Sequence, residues 1–176
     1  MATETRSFAH VQNPVDRLSH GVFGGLVAGL AMGVMVQLVL GRMTAIGALY
    51  TLGEPSLTVG WVAHLFHSAL FGALFAVAGG PQLVARLAAR SPVGDSLNGN
   101  SLGGYPAGLL GGVAFATALW AVNIGFVWPV WLGTVGLGGP PVPNFAVQPL
   151  VGHLVYGALL GLAVVALGSR TAGTEH

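Results

Sequence analysis

The chain has 176 residues, of which 53% are hydrophobic and 6% charged, with a net charge of +1 and no cysteine. Soluble domains carry roughly 25% charged residues, so this chain cannot clothe a water-facing surface and reads as a multi-pass membrane protein. The missing cysteine excludes disulfides, iron–sulfur clusters and thiol catalysis, and the near-neutral charge excludes a basic footprint for nucleic acid.

Residues 1–20 read as a cytoplasmic N-terminal tail, polar and mixed in charge, with Pro14 and Asp16 near the membrane surface. A bilayer core about 30 Å thick needs about 20 apolar residues in a helix. Four stretches meet that demand, at 21–40, 58–79, 106–127 and 148–167. The first is too long for a leader and lacks a small-x-small cleavage site, so it is expected to be retained. Between the first two spans, "AIGALYTL" (45–52) is expected to form a short interfacial or re-entrant helix capping the bundle. After the second span, "PQLVARLAAR" (81–90) reads as a surface helix or an extension of that span, and "SPVGDSLNGNSLGG" (91–104) as a flexible linker. A proline-rich outer loop, "GTVGLGGPPVPNFA" (133–146), joins the last two spans.

Arginine sets the expected orientation, for the chain has no lysine. Arg6, Arg17, Arg86, Arg90 and Arg170 fall on one side of the four spans and only Arg42 on the other. Positive residues stay cytoplasmic, so both termini are expected inside, in the cell membrane. Trp61, Trp128 and Trp131 then fall near the outer boundary, where interfacial tryptophans belong.

The two halves match. "GVFGGLVA" (21–28) aligns with "GLLGGVAF" (108–115), and "HLFHSALFGALF" (64–75) with "HLVYGALLGLAV" (153–164). The pattern predicts an all-α fold, an integral membrane four-helix bundle built from two tandem helical hairpins. The first hairpin covers 21–79 and the second 106–168, with a cytoplasmic linker at 80–105 and a C-terminal tail at 169–176. Two spans per unit give parallel repeats about a pseudo-twofold axis along the membrane normal. Small residues recur every fourth position: Gly21, Gly25, Gly29 and Gly33; Ser68, Gly72 and Ala76; Gly104, Gly108, Gly112 and Ala116; Gly157 and Gly161. Hydrocarbon gives helices no hydrophobic reason to associate, so such stripes mark where backbones approach.

The polar residues continue those stripes. His64 precedes Ser68 by one turn, His153 precedes Gly157, and Gln37 follows Gly33. Asn123 lies 11 residues after Gly112, about 20° away around a helix of 3.6 residues per turn. At a rise of about 1.5 Å per residue, these four make one inward-facing layer about 6–9 Å below the outer surface. His67 and Tyr156 occupy matching positions one turn deeper. His10, His20 and His176 are expected to be solvated, with a place at the inner interface as the alternative for His20.

Ionisable residues inside a membrane default to a functional reading. The candidate ligand-binding residues are His64, His153, His67, Tyr156, Gln37 and Asn123. Paired histidines in a four-helix bundle suit axial ligation of a haem. His64, His67 and His153 could instead hold a transition metal such as copper or zinc. A quinone head group would use the same layer. The expected function is a non-enzymatic subunit or binding protein, serving electron transfer through such a cofactor. The alternative is a purely structural subunit, each imidazole fastening helices through a backbone carbonyl. A channel or transporter is the third choice, since no carboxylate lies in any span. Ser68 has no orienting acid for nucleophilic catalysis. The expected partners are the lipid bilayer and a larger membrane complex or a second copy of the chain, not nucleic acid.

With "HLFHSALFG" and "GHLVYGALLG" in its two halves, the chain resembles an uncharacterised family of small archaeal and bacterial four-span membrane proteins with a duplicated histidine-containing hairpin. The resemblance covers residues 18–168. It implies the architecture but no activity, and no site residue is taken from it.

Overall fold

The computed structural model describes residues 13–80, 82–83 and 104–173. Among these the chain is helical, without a strand. Four helices are long and apolar enough to cross a membrane.

Helix α1 (Pro14–Leu38) begins earlier than hydropathy alone predicts. The Asn13 side chain accepts from the backbone N–H of Val15 at 3.1 Å, Pro14 takes the first turn, and Asp16 lies against the positive helix end. The polar residues 14–20 are therefore helix rather than tail. His20 is buried, against the expectation of a solvated ring. Helix α2 (Met43–Tyr50) forms in the stretch expected to cap the bundle. Helix α3 (Leu57–Val77) starts at Ser56, whose hydroxyl accepts from Val59 N–H at 3.3 Å. At its far end Arg17 of α1 donates to the Ala76 carbonyl at 2.8 Å, placing a cation at the negative end of the helix.

Helix α4 (Tyr105–Val122) runs into a π-helical turn (Asn123–Val127) and then into helix α5 (Trp128–Thr134). Together they form one continuous helical stretch of 30 residues. The loop that follows includes residues 135–146, and helix α6 (Val147–Gly173) closes the chain. It extends past 168, so the expected tail begins in helix. The "PQLVARLAAR" helix and the linker fall almost wholly outside the described residues.

Helix α1 packs along α3, α4 along α6, and α1 along α6, while α2 lies against α3. The pairs α1/α3 and α4/α6 are held by direct backbone approach. A Cβ on Gly21 would meet the Gly72 carbonyl, and one on Gly25 the Ser68 carbonyl. In the other pair a Cβ on Gly108 would meet the Gly161 carbonyl, and one on Gly112 the Gly157 carbonyl. Side chains fill the seam between α1 and α6, where Ala28 and Leu160 are fully buried. Helices α3 and α4 meet sparsely, chiefly where the rings of Phe75 and Phe115 lie 5.3 Å apart. Toward the end that carries α2 and α5 a gap remains between them.

Candidate functional site

That gap is a cavity of about 730 Å³. Its floor is Phe71, Ser68, Leu119 and Tyr156, above the Phe75–Phe115 contact. Met32 and Val36 of α1 form its back wall, and α2, α5 and the 135–146 loop surround its mouth. Tyr50 of α2 and Trp131 of α5 meet edge-on over it, with ring centroids 4.9 Å apart. Among the described residues Arg42 is the only charged one in the lining.

The wall bulges because of Pro129. A proline has no N–H to return to the carbonyl four residues before it. The Gly125 carbonyl accepts instead from the backbone N–H of Asn144 at 2.9 Å. Trp120 Nε1 donates to the Ala146 carbonyl at 2.9 Å, and the Phe145 ring lies over Gly125. The loop is thereby pinned to the π turn. Such turns often occur at functional sites, and this one brings Asn123, Ile124 and Val127 to the cavity.

Five of the six sequence candidates line the cavity: His64, His67, His153, Tyr156 and Asn123. Gln37 does not. It accepts from Trp61 Nε1 instead, clasping α1 to α3. His64 is buried, and its Nε2 lies 2.9 Å from the Gly29 carbonyl of α1. His153 is buried too, but its Nδ1 lies 2.8 Å from the Pro149 carbonyl of its own helix. Tyr156 donates to the Ser68 carbonyl of α3 at 2.7 Å, and the Ser68 hydroxyl to the His64 carbonyl at 2.7 Å. His67 is half-buried, 2.9 Å by its Nε2 from the Tyr50 hydroxyl. Partial burial raises the Tyr50 phenol above its usual range, so it keeps its proton.

Tyr50 was not among the sequence candidates, although the helix that carries it was expected. It is the only tyrosine between the first two spans, and that could have marked it. Asn144 and Gln148 also line the mouth. Asn144 sits outside the four apolar runs, and Gln148 is the first residue of the fourth.

This arrangement bears on what the site can hold. Among the described residues no three histidine or acidic side chains gather as metal ligands would. The set His64, His67 and His153 is therefore not assembled, because His67 pairs with Tyr50. A haem between two histidines would need both free ring nitrogens. On His64 the free nitrogen is Nδ1, crowded by its own Cβ. On His153 it is the open Nε2. The pair thus fits axial ligation poorly on one side. A neutral ring-shaped ligand needs only hydrogen bonds to the same nitrogens, and aromatic faces to lie against. His67 and Phe71, stacked with centroids 6.0 Å apart, and Trp131 supply those faces. No family model, curated protein or solved structure matches the chain.

Proposed function

We propose that the chain is a non-enzymatic membrane protein that binds a small, neutral, largely apolar ring compound of the quinone class in the cavity between α3 and α4. In this reading the four long helices span the bilayer with both termini cytoplasmic, following the arginine asymmetry. The cavity then opens toward the outer side. The two helix pairs are tandem hairpins, and their matching glycine contacts support that. One observation carries the binding reading. An apolar bundle leaves open a volume of about 730 Å³ and lines it with three histidines, two tyrosines and further aromatics. Pockets of a few hundred Å³ with few, convergent polar groups are the usual form of small-molecule sites. The Phe75–Phe115 contact below the floor favours binding over passage.

The test uses the purified full chain in lipid nanodiscs. A short-chain compound of the quinone class, added in its quinone and in its hydroquinone form, should quench tryptophan fluorescence saturably in at least one form, because Trp128 and Trp131 line the site. Leu119→Trp, which fills the cavity from α4, should abolish saturation while the helical content is retained. Non-saturable quenching that is the same in both proteins would refute the reading.

A second reading has its own support. His64 bonds α3 to α1, and Tyr156 bonds α6 to α3. These are fastenings, as a structural subunit of a larger complex would need. If the cavity binds nothing, this reading remains.

A further inference from the structure

A carbonyl oxygen only accepts hydrogen bonds. The contact between His64 Nε2 and the Gly29 carbonyl therefore places the ring hydrogen on Nε2. By the same reasoning the His153 hydrogen lies on Nδ1, facing the Pro149 carbonyl. Among the described residues no carboxylate lines the cavity to pair a charged imidazole, so both rings are neutral. Each then keeps one bare lone pair, on His64 Nδ1 and on His153 Nε2.

Neither of these nitrogens has a hydrogen-bond partner among the described residues. Yet no sealed side-chain nitrogen or oxygen there lacks one. Both atoms therefore keep open surface, and both residues line the cavity. The other polar groups of the floor have spent their hydrogens elsewhere. Tyr156 donates to the Ser68 carbonyl, and Ser68 to the His64 carbonyl. The deep end of the cavity thus offers acceptors only. Farther up the wall and at the mouth, Asn123, Asn144 and Gln148 carry amides that give and take equally, Tyr50 a hydroxyl, and Arg42, Trp128 and Trp131 N–H groups that only donate, so the acceptor character belongs to the deep end.

We propose that the cavity selects ligands that donate hydrogen bonds: phenols and hydroquinones, rather than the quinones or ethers of the same shape. This rests on the binding reading above and sharpens it. A hydroxyl satisfies a bare ring nitrogen. A carbonyl or ether oxygen in the same place sets lone pair against lone pair, and a buried acceptor left unmet is costly. The two rings cannot adapt by moving the hydrogen, because the backbone carbonyls hold it where it is.

The test is a series of probes on the unaltered full chain in nanodiscs, under nitrogen, followed by tryptophan quenching. The probes are an alkyl hydroquinone, its monomethyl ether, its dimethyl ether and the parent quinone. The hydroquinone should bind tightest, with about a tenfold loss for each hydroxyl blocked, and the quinone should bind no better than the dimethyl ether. In His153→Leu, which breaks only a bond within α6, the preference for the hydroquinone over its monomethyl ether should shrink to about twofold or less. Equal binding of all four probes, or tighter binding of the quinone, would overturn the donor preference and leave the binding reading intact. Failure of all four to bind would overturn both.

Discussion

The pair α1/α3 and the pair α4/α6 are built alike at one end and differently at the other. Away from the cavity, each sets glycine against backbone at equivalent positions: Gly21 and Gly25 over α3, Gly108 and Gly112 over α6. Toward the cavity the likeness ends. His64 reaches across to α1, whereas its counterpart His153 bonds back to its own helix. His67 pairs with Tyr50, whereas its counterpart Tyr156 crosses to α3. Packing tolerates no variation where backbones touch. The polar end, where side chains meet space, has room to differ.

The largest effects should come from the shared end. Gly25→Ala and Gly112→Ala should each destabilise by about 1–3 kcal/mol, the range for overpacking, measured by unfolding in mixed micelles. Equal costs would sharpen the comparison. A large cost at Gly25 with none at Gly112 would break it. Next come the bonds that cross between helices. His64→Leu and Tyr156→Phe should each cost about 0.6–2 kcal/mol, as single interhelical hydrogen bonds in membranes do. Their counterparts should cost less. His153→Leu gives up a bond to a carbonyl within its own helix, and His67→Phe one near the open mouth, so each should fall within about 0.5 kcal/mol. Costs at His153 as large as at His64 would mean that the two rings fasten equally. The smallest effect is local. Trp120→Phe should leave global stability nearly unchanged but speed backbone hydrogen exchange in residues 135–146, because it frees the Ala146 carbonyl.

Hydropathy and the glycine spacing were enough to anticipate four long apolar helices and the faces they bury. The start of α1 is written in polar residues rather than apolar ones. Asn13, Pro14 and Asp16 form a helix-start signal, yet a search for apolar runs passes over a polar first turn. Burial of His64 and His153 followed from their place in the stripes. Their partners did not. A stripe fixes which way a ring points but not which carbonyl it finds, and so it cannot assign the ring hydrogen. Gln37 shows the same limit: it faces another helix as expected, but Trp61 claims it. The π turn lay beyond reach. Pro129 hints at a break in the helix, but the bulge depends on Asn144 arriving from 15 residues downstream to take the Gly125 carbonyl.

Backbone against backbone also governs how the molecule can breathe. Where glycine meets backbone in each helix pair, little side chain is left to change rotamer and little gap to close, so that stretch responds to force as a stiff plate. The seam between α1 and α6 is different. There Leu160 approaches Gly24, Ala163 lies against Gly24, and Met32 leans over Gly152. Flexible side chains of this kind can slide and re-seat. A guest too large for the resting cavity would therefore be accommodated by tilting the two plates about that seam, with the Phe75–Phe115 contact as the edge that parts first.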